Sequence, residues 1–173
     1  MGTNQANILA INPGSRHMGI AVFCEMELRE WSIKILHKVT SKEKEELAIE
    51  IIQEMIRLYC INKVVIKKLH PSRSSSNLEH ILSALKKCIL KSSIELCEYS
   101  LDAVENFLIT SQRKNKTNIM QEVVTRYPFL NHELEMERRN KNHYFIRMFE
   151  AVALGITCLN RLEKEDVKVV VKH

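Results

Sequence analysis

Residues 8–23 read ILAINPGSRHMGIAVF. An apolar run stops at Asn12, a Pro-Gly-Ser turn follows, and a second apolar run begins at Gly19. Two short β-prone runs joined by a turn predict a β-hairpin. Asn12 is then a polar residue at the end of the first strand, where it either hydrogen-bonds the turn backbone or belongs to a site.

The chain beyond the hairpin alternates between strand-like and helix-like patterns, which favours an α/β fold. We expect a mixed five-stranded sheet with helices on both faces, in one domain over residues 1–173 with a flexible tail from about residue 164. Residues 131–142, NHELEMERRNKN, are predicted to be a charged, mobile segment. The other predicted elements are strands at 31–39, 64–66 and 94–97 and helices at 40–59, 77–90, 101–109, 117–127 and 143–162.

Composition limits the class of protein. The net charge of +5 and the pI of about 9.0 suit a polyanionic partner without establishing one. No stretch approaches the ~20 apolar residues of a membrane span, and the first residues lack the character of a signal peptide. The five cysteines include no CxxC pair, which disfavours a disulfide framework or zinc site and predicts a reducing, cytoplasmic setting.

Three segments carry a resemblance to a known family: AINPGSRHMGIAVF at the hairpin, RMFEAVALGIT in the last helix, and EYSLDAVENFLITSQRKNKTNIMQEVVTRY between them. Together they resemble the RuvC family of Holliday-junction resolvases, which has the ribonuclease H-like fold. The resemblance implies that fold, a branched-DNA substrate and a possible homodimer. It also implies cleavage of phosphodiester bonds with two divalent metal ions, which carboxylates hold.

The family's acidic positions fall on Asn12, on Lys67 or Lys68, on Arg147 and on Glu150. Only Glu150 is an acid, so the resemblance implies a degenerate site in which Asn12 and Glu150 are the remaining candidates for catalysis or metal binding. We expect no cofactor, and Mg²⁺ or Mn²⁺ only if the site is active. An ion pair between Glu150 and one of the three cations is the structural alternative, because Glu150 is the only charged residue from 148 to 159.

Several predicted loops contain serines, arginines and lysines, which are residue types that contact phosphates. Exposed loops that bind nothing contain the same residue types, so the composition alone does not distinguish the two roles. His17, His70 and His143 could approach the site but do not have the spacing of a known metal-binding motif. The candidate nucleic-acid contacts are Ser15, Arg16, Arg73, Ser74, Arg113, Lys114 and Lys116.

The functional hypothesis is therefore a RuvC-like protein that binds nucleic acid, in particular branched or duplex DNA as in recombination and repair, through a degenerate nuclease site. One alternative is an active, metal-dependent structure-specific endodeoxyribonuclease, or a nuclease in which Asn12 replaces a natural aspartate. Another is a protein-interaction domain without a nucleic-acid role. Sugar kinases, actin and heat-shock ATPases share the fold but need a second glycine-rich hairpin, which a chain with four glycines does not offer.

Overall fold

The fold is described from a computed structural model over residues 5–110 and 113–170, with only the backbone considered beyond residue 162. It contains a five-stranded sheet with the strand order β3-β2-β1-β4-β5. β1 pairs antiparallel with β2 and parallel with β4; β2 pairs antiparallel with β3, and β4 pairs parallel with β5. The strands are β1 (Ile8–Asn12), β2 (His17–Cys24), β3 (Glu27–Ile35), β4 (Lys63–Lys68) and β5 (Glu95–Ser100).

Helices cover both faces of the sheet, and each face has its own apolar core. α1 and α2 pack on one face, whereas α3, α4 and α6 pack on the other. Apolar residues on the two sides of β1 and β2 enter different cores because successive side chains of a strand alternate between faces. The helices are α1 (Ser41–Leu58), α2 (Ser76–Lys91), α3 (Leu101–Leu108), α4 (Lys116–Arg126), α5 (Asn131–Arg139) and α6 (Ile146–Val170).

Local sequence determines where several helices begin. Thr40 caps α1, with Glu43 completing the predicted capping box through hydrogen bonds in both directions. The side chains of Ser75, Ser100 and Asn115 cap α2, α3 and α4, each by accepting one hydrogen bond from a backbone N–H of the first turn. These caps fix the loops that follow β4 and β5 and therefore the residues that surround the carboxyl ends of those strands.

The predicted architecture is confirmed, and two local predictions were wrong. β3 covers Glu27–Ile35 rather than residues 31–39. Residues 131–139 form α5 rather than a mobile segment, because Leu134 and Glu137 are both buried against the neighbouring helices. α6 continues to Val170, residues 171–173 lie outside the described part of the chain, and the flexibility proposed from about residue 164 stays a prediction.

Strand alternation places the two neighbouring candidates Lys67 and Lys68 on opposite faces of the sheet. Val65 lies in the core under α6, whereas Val64 and Ile66 lie in the core under α1 and α2. Lys67 therefore faces α6 and Lys68 faces away from it.

Within the described residues, no helix is long and apolar enough to cross a membrane.

Candidate functional site

The candidate site lies where β1 and β4 end beside the second turn of α6. Because these two strands are parallel, their carboxyl ends meet at one edge of the sheet, where ligands of open α/β sheets bind. Asn12 is the last residue of β1, Lys67 is the penultimate residue of β4, and Glu150 is in α6. The structure thus brings together three of the positions that the sequence nominated.

Glu150 is the centre of this cluster. Its side chain is only 4% exposed. Its Oε2 accepts hydrogen bonds from Asn12 Nδ2 at 2.6 Å and from Lys67 Nζ at 2.7 Å. Lys116 Nζ lies 3.6 Å from the other carboxylate oxygen, Oε1, which has no hydrogen-bond partner among the described residues. A buried carboxylate is therefore held by one amide and two ammonium groups, as burial of a charge requires.

Asn12 is almost completely buried and acts as a donor. Its Nδ2 donates to Glu150 and also to the backbone carbonyl of Arg147, at 3.3 Å. The reversed amide would direct an oxygen at a carboxylate, so the hydrogen-bond network fixes this orientation. The amide thus satisfies the carboxylate that an acid at the same position would repel.

Arg147 belongs to the packing of the hairpin against α6. Its Nη1 donates to the carbonyl of Pro13 at 3.2 Å. A Cβ at Gly14 would lie 2.7 Å from the same Nη1, and a Cβ at Gly19 would overlap the backbone carbonyl of Arg147. The two glycines therefore allow the hairpin to approach the first turn of α6 closely.

The ion pair that the sequence left open is made by Lys67. Lys68 is exposed, on the opposite side of β4, and Arg147 contacts Pro13. Sequence spacing placed the family's acid at either Lys67 or Lys68. Strand alternation relative to Val65 could have distinguished them, since only residues in register with Val65 face α6.

The segments that carry the predicted nucleic-acid contacts lie at this same edge of the sheet. Arg16 is exposed in the β1–β2 turn beside the half-buried Ser15. Arg73 is exposed in the loop after β4, whereas the hydroxyl of Ser74 hydrogen-bonds Glu79. The basic residues from 113 to 116 also differ in their surroundings. Arg113 and Lys114 are exposed, and Lys114 contacts Asn106. Lys116 lies beside Glu150, and residues 111–112 are outside the described chain.

Sequence reasoning missed Glu105, a second acid close to the cluster. It lies on α3, and burial raises the pKa of its carboxyl, to which the negative charges of Asp102 and Glu150 add. Lys114 and Lys116 act on the pKa in the opposite direction. Because α3 begins directly after β5, whose end lies beside that of β4, its position after the last strand was the available signal.

The residues present do not fit a two-metal site. Among the described residues no group of three or more histidine, cysteine, aspartate or glutamate side chains could hold a metal ion. The two predicted ligands, Asn12 and Glu150, hydrogen-bond each other. Glu150 also accepts a hydrogen bond from the ammonium group of Lys67, where a metal ion would otherwise bind. Divalent magnesium prefers several hard, charged oxygen ligands, and this cluster offers one carboxylate.

The three histidines have other roles in the structure. The His17 ring packs edge-on against the Tyr144 ring, with centroids 5.5 Å apart. His70 Nδ1 accepts from the backbone N–H of Ser72 at the start of a short 3₁₀ turn. His143 contacts Glu137. These histidines therefore do not converge on Glu150.

Neither the sequence models of known families nor the sequences of curated proteins match this chain. Solved structures do. Thermus thermophilus RuvC in complex with a Holliday junction aligns with a TM-score of 0.64 and 16% identity, over 88% of this chain and 91% of that one. The yeast mitochondrial Holliday junction resolvase aligns with a TM-score of 0.64 and 11% identity, over 88% and 77% of the two chains.

A third solved structure extends the similarity to a viral protein. The fowlpox virus resolvase, in complex with Holliday junction DNA, aligns with a TM-score of 0.59 and 14% identity, over 90% of this chain and 98% of that one. Each alignment spans most of both chains. The chain therefore has the RuvC-like, ribonuclease H-like fold of Holliday junction resolvases, as the hairpin and last helix predicted.

Proposed function

We propose that this protein binds branched DNA without metal-dependent cleavage, at the edge of the sheet where a RuvC-type nuclease would hold its metal ions. The proposal depends on one observation. Glu150, the only acid at the four family positions, already accepts hydrogen bonds from Lys67 and Asn12. The ammonium group of Lys67 supplies the positive charge that a metal ion would supply to this carboxylate. The degenerate site is thus a stable structural cluster.

The electrostatics disfavour recruitment of a divalent ion. A cation that approaches Glu150 meets the ammonium groups of Lys67 and Lys116, and like charges a few ångströms apart repel each other. Displacement of Lys67 would also break a short, charge-assisted hydrogen bond. The alternative of an active metal nuclease therefore lacks both the ligands and the local potential.

Charge and similarity support a nucleic-acid partner. The net charge is +5, and basic residues from three separate segments leave the sheet at the Glu150 edge. Two of the similar structures were solved with Holliday junction DNA. Lysines and arginines at such an edge neutralise phosphates and release counterions, which makes binding steeply dependent on salt. The proposal includes a reducing, cytoplasmic setting, since the five cysteines contain no CxxC pair.

The proposal also includes a homodimer, for which α1 and α2 provide a surface. A groove between them is lined by Ile49, Gln53 and Cys88. Exposed acids lie on its α1 side and exposed lysines on its α2 side. A two-fold axis parallel to the two helices would place α1 of one copy over α2 of the other, so that exposed acids such as Glu54 would face exposed lysines such as Lys87.

A charge-swap experiment tests this dimer. Glu54→Lys and Lys87→Glu should each shift the protein toward monomer in sedimentation analysis, and the double variant should recover the dimer. A wild type that sediments as a monomer at all concentrations, or a double variant no better than either single variant, contradicts the proposed interface.

The function is tested with labelled DNA. Binding of a fluorescent four-way junction, a matched duplex and a single strand is measured in EDTA and in Mg²⁺ or Mn²⁺, and each reaction is then resolved for cleavage products. We expect the junction to bind best, with equal affinity in EDTA, and to stay intact. Metal-dependent cutting that disappears in Glu150→Gln would establish the nuclease alternative. Absence of salt-dependent DNA binding would favour the protein-interaction alternative.

A further inference from the structure

The turn between α5 and α6 is a basic segment that the proposed function leaves unused. From residue 138 to 143 the chain reads RRNKNH, with three permanent cations, one histidine and no acid. Arg139, Lys141 and His143 are exposed. A charged stretch alone is ordinarily a solvated surface, so its significance depends on how the turn is held and where it lies.

A buried carboxylate holds this turn in place. The Glu137 side chain is 2% exposed, and its Oε2 accepts hydrogen bonds from the backbone N–H groups of Tyr144 at 3.0 Å and Phe145 at 2.8 Å. Its Oε1 lies 3.1 Å from His143 Nδ1. These N–H groups directly precede α6, where helix geometry leaves donors without partners. Glu137 therefore acts as a cap supplied by the neighbouring helix.

The anchored turn lies next to the hairpin turn at the candidate site. The Tyr144 ring packs edge-on against His17, which directly follows Arg16 in the chain. One turn further along α6, the Arg147 side chain donates to the carbonyl of Pro13. The end of the α5–α6 turn and the hairpin turn that carries the exposed Arg16 are thus neighbours.

We propose that the α5–α6 turn is a second contact for the sugar-phosphate backbone of the bound nucleic acid, with Lys141 and Arg139 binding phosphates and Glu137 acting as the positioning residue. This inference rests on the proposed function. A preformed cationic turn loses less conformational entropy when it binds than a mobile one does. Glu137 thereby favours phosphate binding by holding the turn in place, although its own charge is negative.

The first test removes one charge from the turn. Lys141→Gln is compared with Arg57→Gln, which removes one charge from the last turn of α1, on the other face of the sheet and near the start of β4. Four-way-junction affinity is measured over a series of KCl concentrations. Loss of one phosphate contact should make the log–log salt dependence shallower by about 0.9 and weaken binding several-fold, by roughly 3- to 10-fold at moderate salt. Arg57→Gln should leave both quantities close to wild type.

The second test uses the sign of the charge change. Glu137→Gln makes the protein more positive by one, so electrostatics alone predicts tighter junction binding, whereas loss of the anchor predicts weaker binding. Glu133→Gln is the matched control: it makes the same charge change on the same helix, but its side chain accepts from Trp31 Nε1 at 3.3 Å and does not touch the turn. We expect Glu137→Gln to bind about 3-fold more weakly and Glu133→Gln to bind at least as tightly as wild type.

The outcomes separate this inference from the proposed function. A wild type without salt-dependent junction binding overturns both. A wild type that binds, with Lys141→Gln indistinguishable from Arg57→Gln, overturns the turn alone. If Glu137→Gln binds as tightly as Glu133→Gln while its circular dichroism is native, the positioning role is wrong. If Glu137→Gln does not fold, the comparison of Lys141→Gln with Arg57→Gln decides.

Discussion

Two parts of the same edge of the sheet are held together in different ways. In the first, the β1–β2 hairpin packs on α6 through Gly14 and Gly19. In the second, the buried carboxylate of Glu150 accepts hydrogen bonds from Asn12 and Lys67. The first part depends on close packing and is independent of charge. The second depends on charge, which is also the property that a metal site would require.

The comparison shows that fold and reaction depend on different residues even when those residues are adjacent. Close approach of two backbones requires the absence of a Cβ, which only glycine provides. Metal binding requires several carboxylates, which many folds can carry or lose. A hairpin of this type is therefore evidence for the architecture, and the charges beside it must be examined separately.

The largest expected effect comes from the packing part. Gly19→Ala should lower the free energy of unfolding by about 3 kcal/mol, because the added methyl group meets the backbone carbonyl of Arg147, which cannot rotate away as a side chain could. Met18→Leu, the neighbouring buried position, should cost less than about 1.5 kcal/mol because it conserves volume. Chemical denaturation measures both. Equal costs for the two variants would show that the approach of hairpin and helix is not tight.

The next largest effect is expected at Lys67, whose ammonium group pairs with Glu150. Lys67→Met should cost about 2 kcal/mol at neutral pH, because a charge-assisted hydrogen bond to a buried carboxylate is lost. Chemical denaturation at neutral pH measures this loss. Lys68→Met, one residue further along β4 and exposed, should change stability by less than about 0.5 kcal/mol.

A different result would change the interpretation of the cluster. If Lys67→Met and Lys68→Met were equally stable at neutral pH, the ion pair with Glu150 would contribute nothing to the fold.

The sequence predicted most of the fold because its signals are local. Strong apolar periodicity marks α1 and α2, Thr40 and Glu43 form a recognisable capping box, and the hairpin motif indicates the fold. α5 was missed because its residues are mostly charged and only Leu134 and Glu137 are buried. A helix that buries so little lacks a clear apolar stripe, and tertiary contacts determine it.

The sequence nominated Asn12 and Glu150 by resemblance and left open which of Lys67, Lys68 and Arg147 pairs with Glu150. The choice of Lys67, and the approach of Lys116, depend on how three elements meet in space. Lys116 lies 34 residues before Glu150, and no spacing rule connects them. Long-range ion pairs of this kind require the folded geometry.

A smaller effect is expected when the acid is returned to the first strand. Asn12→Asp replaces the donor to Glu150 by a second carboxylate, while Lys67 and Lys116 still supply two positive charges. We expect a cost of about 1–2 kcal/mol at pH 8, since two neighbouring carboxylates repel each other. Chemical denaturation of the variant and of wild type at pH 8 measures this cost.

The same variant tests the proposed loss of activity. Because the variant cluster still contains the cations Lys67, Lys116 and Arg147, Asn12→Asp should neither bind Mn²⁺ in calorimetry nor cut a four-way junction. Cleavage restored by this one substitution would mean that Asn12 alone inactivates the protein, and the proposal of a degenerate site would fail.

The smallest effect concerns Glu105, at the border of the cluster. Burial raises the pKa of its carboxyl, and Asp102 and Glu150 raise it further. An acid whose pKa is higher in the folded state destabilises the fold as the pH rises through that range, so Glu105→Gln should raise the melting temperature slightly at pH 8, by about 1–2 °C, and not at pH 3.5. The substitution also removes a negative charge beside Lys114 and Lys116, which should tighten junction binding. A variant with weaker binding would show that Glu105 orients these lysines rather than competing with DNA for them.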